Sequence, residues 1–165
     1  MSDRIPMTKS GLQRLKEDLK RLKSVEKPKN VRDIEEARAH GDLSENAEFH
    51  AAKERQGQLE AEIRRIEDVV ARAEVIDVSR LSGDRVVFGA TVELEDANTG
   101  SSMGYRLVGE YEADIKRGLL SVTSPIARAL IGREVGDSVM VQAPGGTKEF
   151  EITDVRFEEP EEAST

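Results

Sequence analysis

Residues 49–73 read FHAAKERQGQLEAEIRRIEDVVARA. Within them Phe49, Ala52, Gln56, Leu59, Ile63, Ile66, Val70 and Ala73 advance by alternating steps of 3 and 4. Held over three heptads with Gln56 as the one polar position, that period keeps a single apolar stripe along one side of a helix and demands a partner helix. The partner stands upstream. Leu12, Leu15, Leu19 and Leu22 step by 3, 4 and 3, and Val31, Ile34 and Ala37 resume an apolar stripe beyond Pro28. Proline has no amide hydrogen and crowds the preceding turn, so Pro28 is expected to kink the helix or reset its register. Thr8 can cap the first turn with its hydroxyl. Gly41 accepts the left-handed conformation at which helices stop. Thr8 to His40 is 33 residues, about 50 Å of helix at about 1.5 Å per residue. So short a connection requires the two helices to run antiparallel.

After Asp77 the texture changes. Val86–Phe88, Thr91–Leu94, Tyr105–Val108, Ser138–Val141 and Glu149–Phe157 are short β-branched runs between turn signals. Pro144-Gly145-Gly146 reads as a hairpin turn, and the slip from Phe150/Ile152 to Val155/Phe157 predicts a bulge. Ser124 followed by Pro125 opens a short helix through Ile131 that Gly132 ends. The fold class expected is α+β: a long N-terminal antiparallel coiled-coil hairpin over residues 1–77, then a small antiparallel sheet domain with one short helix over 78–157. Residues 158–165 read as a disordered acidic tail.

Composition narrows the function. Charged residues make up 35% and aromatics 4%, which suits solvated helices with a narrow buried seam. Residues 1–80 hold 17 Lys and Arg against 17 Asp and Glu, whereas residues 81–165 hold 8 against 16, so the whole net charge of −8 sits in the second part. That balance argues against duplex binding through the whole surface, although Lys9–Lys29 carries eight basic and three acidic residues. Direct DNA contact is left open. With no cysteine there are no disulfides and no thiolate zinc sites. No apolar run reaches the roughly 18 residues that cross a bilayer, and MSDRIPMTKS at the N-terminus has no apolar signal segment. The expectation is a cytoplasmic monomer without membrane contact.

The break between the helices reads Gly41-Asp42-Leu43-Ser44-Glu45-Asn46-Ala47-Glu48-Phe49. Asp42 and Glu45, three apart, have the shape of a capping box for the second helix. The alternative is a metal-holding pair. Magnesium is commonly held by one or two carboxylates together with waters and phosphates, so a pair at an exposed tip would be half of a site that a partner completes, the arrangement of two-metal phosphodiester chemistry. A zinc site adding His40 and His50 is a weaker option, because their spacing has no helical ligand logic. Arg38 and Lys53 flank the tip, either as solvated flank charge or as contacts to a nucleic-acid backbone.

The segment GDLSENAEFHAAKE at 41–54 closely resembles the tip of the bacterial transcript-cleavage factors of the GreA/GreB family. The resemblance continues through IPMTKSGLQRLKEDLKRLKS at 5–24, VIDVSRLSGDRVVFGATVEL at 75–94, SVTSPIARALIGREVGD at 121–137 and PGGTKEFEI at 144–152. It implies an N-terminal coiled coil, an FKBP-like C-terminal domain, and RNA polymerase as partner. On that likeness the coiled coil enters the polymerase's secondary channel. Asp42 and Glu45 match the two tip acids that help the polymerase active site hold a second Mg²⁺, shared between the two proteins, while the backtracked RNA 3′ end is cut. The factor itself is then no enzyme. Arg38 and Lys53 match the basic patch at the RNA 3′ end, with lysine standing where arginine is often found, which keeps the charge but loses the planar fork. Ser124, Pro125, Ile126 and Arg128 fall in the segment that faces polymerase. Ser44 between the two acids favours the activating type of factor over the inhibitory relatives. Two other readings are a peptidyl-prolyl isomerase and a coiled-coil adaptor with an inert or inhibitory tip.

Overall fold

The computed structural model describes residues 3–41, 46–78 and 81–158. Their contacts divide into two units, one of residues 13–72 and one of residues 3–12 with 73–158. Helix α1 (Lys9–Arg21) continues without a break through a π-helical turn at Leu22–Glu26 into α2 (Lys27–Ala39), and α3 (Ala47–Arg72) forms the return arm. Asn30 bonds to Ala52 and Ala37 to Asn46, so the arms run antiparallel.

The π turn is the local answer to Pro28. An α-helical proline loses one backbone bond and collides with the carbonyl four residues before it. Here the Lys27 amide instead donates to the Leu22 carbonyl, a five-residue span, and Glu26 and Lys27 keep right-handed helical angles. The wide turn takes up one extra residue. The seam steps from Leu22 to Asn30, eight residues instead of seven, and goes on to Ile34 and Ala37, all buried. Register is thus reset without a break, as one of the two outcomes expected of Pro28. The expected stripe was one residue out at its start: Val31 is 43% exposed and Asn30 4%. The buried Asn30 amide is satisfied, Nδ2 donating to the Ala52 carbonyl at 2.9 Å. Such a polar seam position fixes register at some cost in stability. On α3, Ala52, Leu59, Ile63 and Ile66 are buried as the heptads predict, and Val69 is buried beside the expected Val70; Leu15, Leu19, Leu22 and Val70 pack with Leu59, Ile63 and Ile66.

In the second unit β1 (Ile5–Met7) pairs in parallel with β2 (Ala73–Val75). The N-terminal residues therefore cluster with the sheet unit, although the expected division at 77/78 assigns them to the hairpin. The five-stranded sheet has the order β5-β4-β3-β7-β6, built from β3 (Thr91–Asp96), β4 (Ser102–Val108), β5 (Leu119–Ser121), β6 (Ser138–Ala143) and β7 (Gly146–Arg156), with helix α4 (Pro125–Leu130) after β5. The expected all-antiparallel sheet is corrected at one edge. The chain between β4 and β5 passes through two short 3-10 turns, long enough to carry it back so that β5 lies parallel to β4. Val86–Phe88 forms no strand either. Its Val86 amide and carbonyl bond instead to Arg133 and Gly132 beyond α4. The predicted hairpin turn and bulge are both present: Ala143 pairs with Gly146, and β7 shifts register against Glu93/Leu94. The bulge lets Phe150, Ile152 and Val155 all enter one core with Val92, Leu107 and Leu130. Apart from Glu158, which pairs with Arg156 at 2.8 Å, the expected tail lies outside the described residues.

The start of α1 is anchored within this unit by a buried carboxylate. Thr8 Oγ1 accepts from the Gly11 amide at 3.1 Å, the cap expected of it, and donates to Glu112 Oε1. Glu112 Oε2 accepts from the Thr8 and Gly109 amides, each at 2.9 Å. Glycines at 11 and 109 make this possible. A Cβ at Gly11 would overlap Glu112 Oε1, and one at Gly109 would overlap the Pro6 carbonyl.

Candidate functional site

The open end of the hairpin is framed by the last turn of α2 and the first turn of α3. Gly41 takes a φ of 111°, as a helix-stopping glycine should, and its amide reaches the Arg38 carbonyl at 3.3 Å. Asp42 and Glu45 lie outside the described residues. What bounds them is defined. Asn46, immediately before α3, accepts from the Phe49 amide through Oδ1 at 3.0 Å. The cap of α3 among the described residues is therefore Asn46, and the expected capping box of Asp42 and Glu45 lies outside the described residues. Asparagine directly before the first helical residue is a strong cap signal, outweighed in the sequence by the three-residue spacing of the acids. Asn46 Nδ2 also donates to the Ala37 carbonyl at 2.6 Å, joining the two arms.

Arg38 and Lys53 are both exposed. The Arg38 guanidinium lies over the Phe49 ring, 6.0 Å from its centroid, a cation–π approach. Lys53 is four residues beyond Phe49 and so shares its face of α3. Its Nζ donates to Gln56 Oε1 at 2.8 Å. Phe49 thus brings the two basic groups to one side of the hairpin, a role the sequence reading gave only to the seam. His40 Nδ1 meets Glu48 Oε2 across the open end at 3.1 Å, while the His50 ring stands edge-on to Phe49 with centroids 5.9 Å apart. Among the described residues no three His, Asp or Glu side chains gather closely enough to hold a metal ion.

In the second unit the Ser124–Arg128 segment divides by role. The Ser124 hydroxyl accepts from the Ala127 amide at 3.2 Å and caps α4, and Ile126 packs on the sheet core. Pro125 and Arg128 face outward, with Ile131 beside them 43% exposed. An isomerase would need an apolar cavity lined by aromatic side chains. The hollow of about 280 Å³ over β3, β4, β5 and β7 has Tyr105 as its one aromatic, beside Leu119 and the charged Glu93, Arg117 and Arg156. The Arg156 guanidinium is held further in its charged form by its bond to Glu93 and then by Asp154.

A helical hairpin with basic groups at its open end, carried on a chain with a separate mixed-sheet unit, defines a two-part α+β coiled-coil factor. Among the described residues no helix is long and apolar enough to cross a membrane. The family described as transcription elongation factor, N-terminal, matches residues 5–75, and that described as transcription elongation factor, GreA/GreB, C-term, matches residues 81–157. The chain belongs to the GreA/GreB family of transcription elongation factors. It is 65% identical over 158 residues to the transcription elongation factor GreA of Anaeromyxobacter sp. (strain K), covering 96% of this chain and 95% of that protein. It is 60% identical over 155 residues to GreA of Phenylobacterium zucineum (strain HLK1), covering 94% and 99%. Among solved structures, GreA factor homolog 1 of Thermus thermophilus is 28% identical with a TM-score of 0.42, covering 93% of this chain and 99% of that one.

Proposed function

We propose that this chain binds RNA polymerase, inserts its hairpin into the secondary channel, and stimulates the polymerase's own cleavage of backtracked RNA 3′ ends. The observation that carries the reading is family membership over residues 5–75 and 81–157; it gives a carboxylate pair in the break between the two helices a use.

In this reading Asp42 and Glu45 hold a Mg²⁺ jointly with polymerase ligands. A so-bound ion supplies Lewis-acid polarisation and a more acidic bound water. Two carboxylates alone fall short of a complete magnesium shell, so the chain is inert as a nuclease until docked. Arg38 and Lys53, set on one side of the hairpin by Phe49, hold the phosphates of the extruded RNA. Arginine offers a planar fork and lysine a point charge. Pro125 and Arg128 meet the polymerase surface, while Ser124 and Ile126 build the helix that presents them.

The test is an arrested elongation complex incubated with the full chain at graded Mg²⁺. Short 3′ RNA fragments are expected, at a lower Mg²⁺ concentration than the polymerase needs unaided. Fragments with an unchanged Mg²⁺ dependence would reduce the tip to a positioning device. No fragments at all would favour an inert or inhibitory tip.

A further inference from the structure

Residues 81–165 carry eight basic residues against sixteen acidic ones, yet three of the eight, Arg106, Arg117 and Arg156, line one hollow of about 280 Å³. Strand register brings them there. Val92, Leu107 and Val155 turn into the core with Leu130 of α4, so their neighbours Thr91, Arg106 and Arg156 stand on the opposite face of the sheet. On that face Leu119 of β5 is opposite Arg106 of β4, Arg106 is opposite Thr91 of β3, and Thr91 is opposite Arg156 of β7. Neighbouring strands lie about 4.8 Å apart, so Arg106 and Arg156 bracket Thr91 with about 10 Å between their Cα atoms. Arg117 joins them from the 3-10 turn that ends at Gly118, whose φ of 74° swings the chain into β5. Further along the same face Gly104 is opposite Glu93 and, having no side chain, leaves the floor open.

We propose that this hollow binds a small phosphate-bearing anion. The charged groups that line it are the three arginines and Glu93. Glu93 bonds to Arg156 at 2.9 Å, and Asp154 and Glu158 reach the same guanidinium at 3.1 and 2.8 Å, so Arg156 is neutralised within the chain. Arg117 is exposed, and among the described residues neither its guanidinium nor the Thr91 hydroxyl has a hydrogen bond or ion pair. Arg106, 7% exposed, adds its charge from the wall. An anion on the β5 side of the hollow therefore meets a guanidinium fork and a hydroxyl donor, with Glu93 as the group that opposes it. Phosphate suits this donor set, because arginine grips it through paired, charge-assisted bonds. Ligand pockets run from roughly 300 to 1,000 Å³, and a hollow at the small end of that range favours a compact anion over a broad organic molecule. Free phosphates and the phosphates of a nucleotide share this chemistry.

The test is calorimetric titration of the full chain at low salt with inorganic pyrophosphate and, in parallel, with adenosine diphosphate. One saturable site is expected for pyrophosphate. Equal or weaker affinity for the nucleotide marks a site for the free anion, and tighter affinity marks one that also takes the nucleoside; both support the proposal. Arg117→Ala should weaken pyrophosphate binding by about ten-fold, the loss of one charge-assisted contact. Arg117→Lys should weaken it less, since the charge stays while the fork goes, and Thr91→Val should weaken it by about three-fold. Glu93→Gln should tighten it, because the opposing charge is removed. Lys148→Ala makes the same charge change at an exposed residue outside the hollow and should leave affinity unchanged. Melting by circular dichroism should match wild type for Arg117→Ala and Lys148→Ala, so their comparison is between folded chains. Absence of saturable binding by the wild-type chain would overturn the proposal. So would equal losses from Arg117→Ala and Lys148→Ala, which mark general charge attraction, or a Glu93→Gln chain that binds no tighter than wild type.

Discussion

Replacing Gly11 with alanine should destabilise the second unit, against what helix propensity predicts. In an open helix position glycine to alanine gains up to about 1 kcal/mol. Here the new Cβ would overlap Glu112 Oε1 and lie 2.6 Å from its Cδ, inside any real contact distance. The carboxylate must then withdraw from its three donors, Thr8 N, Thr8 Oγ1 and Gly109 N. Bonds to a charged acceptor contribute about 1.5–3 kcal/mol each, and buried donors left without one add a desolvation penalty. Losing two of the three at the low end costs about 3 kcal/mol, leaving a net loss of about 2 kcal/mol after the propensity gain. Both tyrosines of the chain, Tyr105 and Tyr111, lie in this unit and there is no tryptophan, so urea unfolding followed by tyrosine fluorescence reports on it alone. A cycle with Glu112→Ala completes the test. In that background the overlap with the carboxylate is gone and only a 3.0 Å approach to the Cβ of residue 112 remains, so Gly11→Ala should be close to neutral, a coupling of about 2 kcal/mol. A stabilising Gly11→Ala in the wild-type background would refute the reasoning.

Two further outcomes follow from the hairpin. Deleting the exposed Val25 together with Pro28→Ala should convert the π turn to ordinary α-helix and restore the seven-residue step from Leu22 to Asn30, so helix content and melting temperature by circular dichroism should hold or rise; deleting Val31, which is also exposed, should rotate Ile34 and Ala37 by about 100° out of the seam and lower the melting temperature sharply, and equal effects of the two deletions would contradict the register account. Charge removal at Arg38→Ala or Lys53→Ala should raise the half-saturating factor concentration in the cleavage assay by about three- to ten-fold, equivalent to about 0.7–1.4 kcal/mol, with the effect shrinking as salt rises; salt-independent losses would point away from phosphate contact.

The parts of this molecule that the sequence makes legible are those where one residue type has one physical use. Leu59, Ile63 and Ile66 could only be a seam, Ser124-Pro125 a helix start, and the phase slip through Phe150, Ile152 and Val155 a bulge. Asn30 was harder. A polar residue in a seam is recognised only once the π turn has moved the register by one, and a turn of that kind depends on how the backbone accommodates Pro28. β1, β2 and β5 are three residues each, too short to show alternation; β1 and β2 find each other across distant chain, and β5 lies parallel to the strand just before it. Glu112 gave no signal, since a carboxylate is read as surface until its three donors are seen to converge. At the tip, the acids drew the eye to Asp42 and Glu45, while the cap belongs to Asn46 and the shared face of Arg38 and Lys53 to Phe49.

The central claim is that the acidic pair acts inside the polymerase and nowhere else. The direct measurement is cleavage of the RNA in an arrested elongation complex by the Asp42→Ala/Glu45→Ala chain at concentrations where its binding to polymerase is saturated. The account predicts binding equal to wild type and cleavage reduced to the unaided rate of the polymerase. Wild-type stimulation by the bound double variant would contradict it.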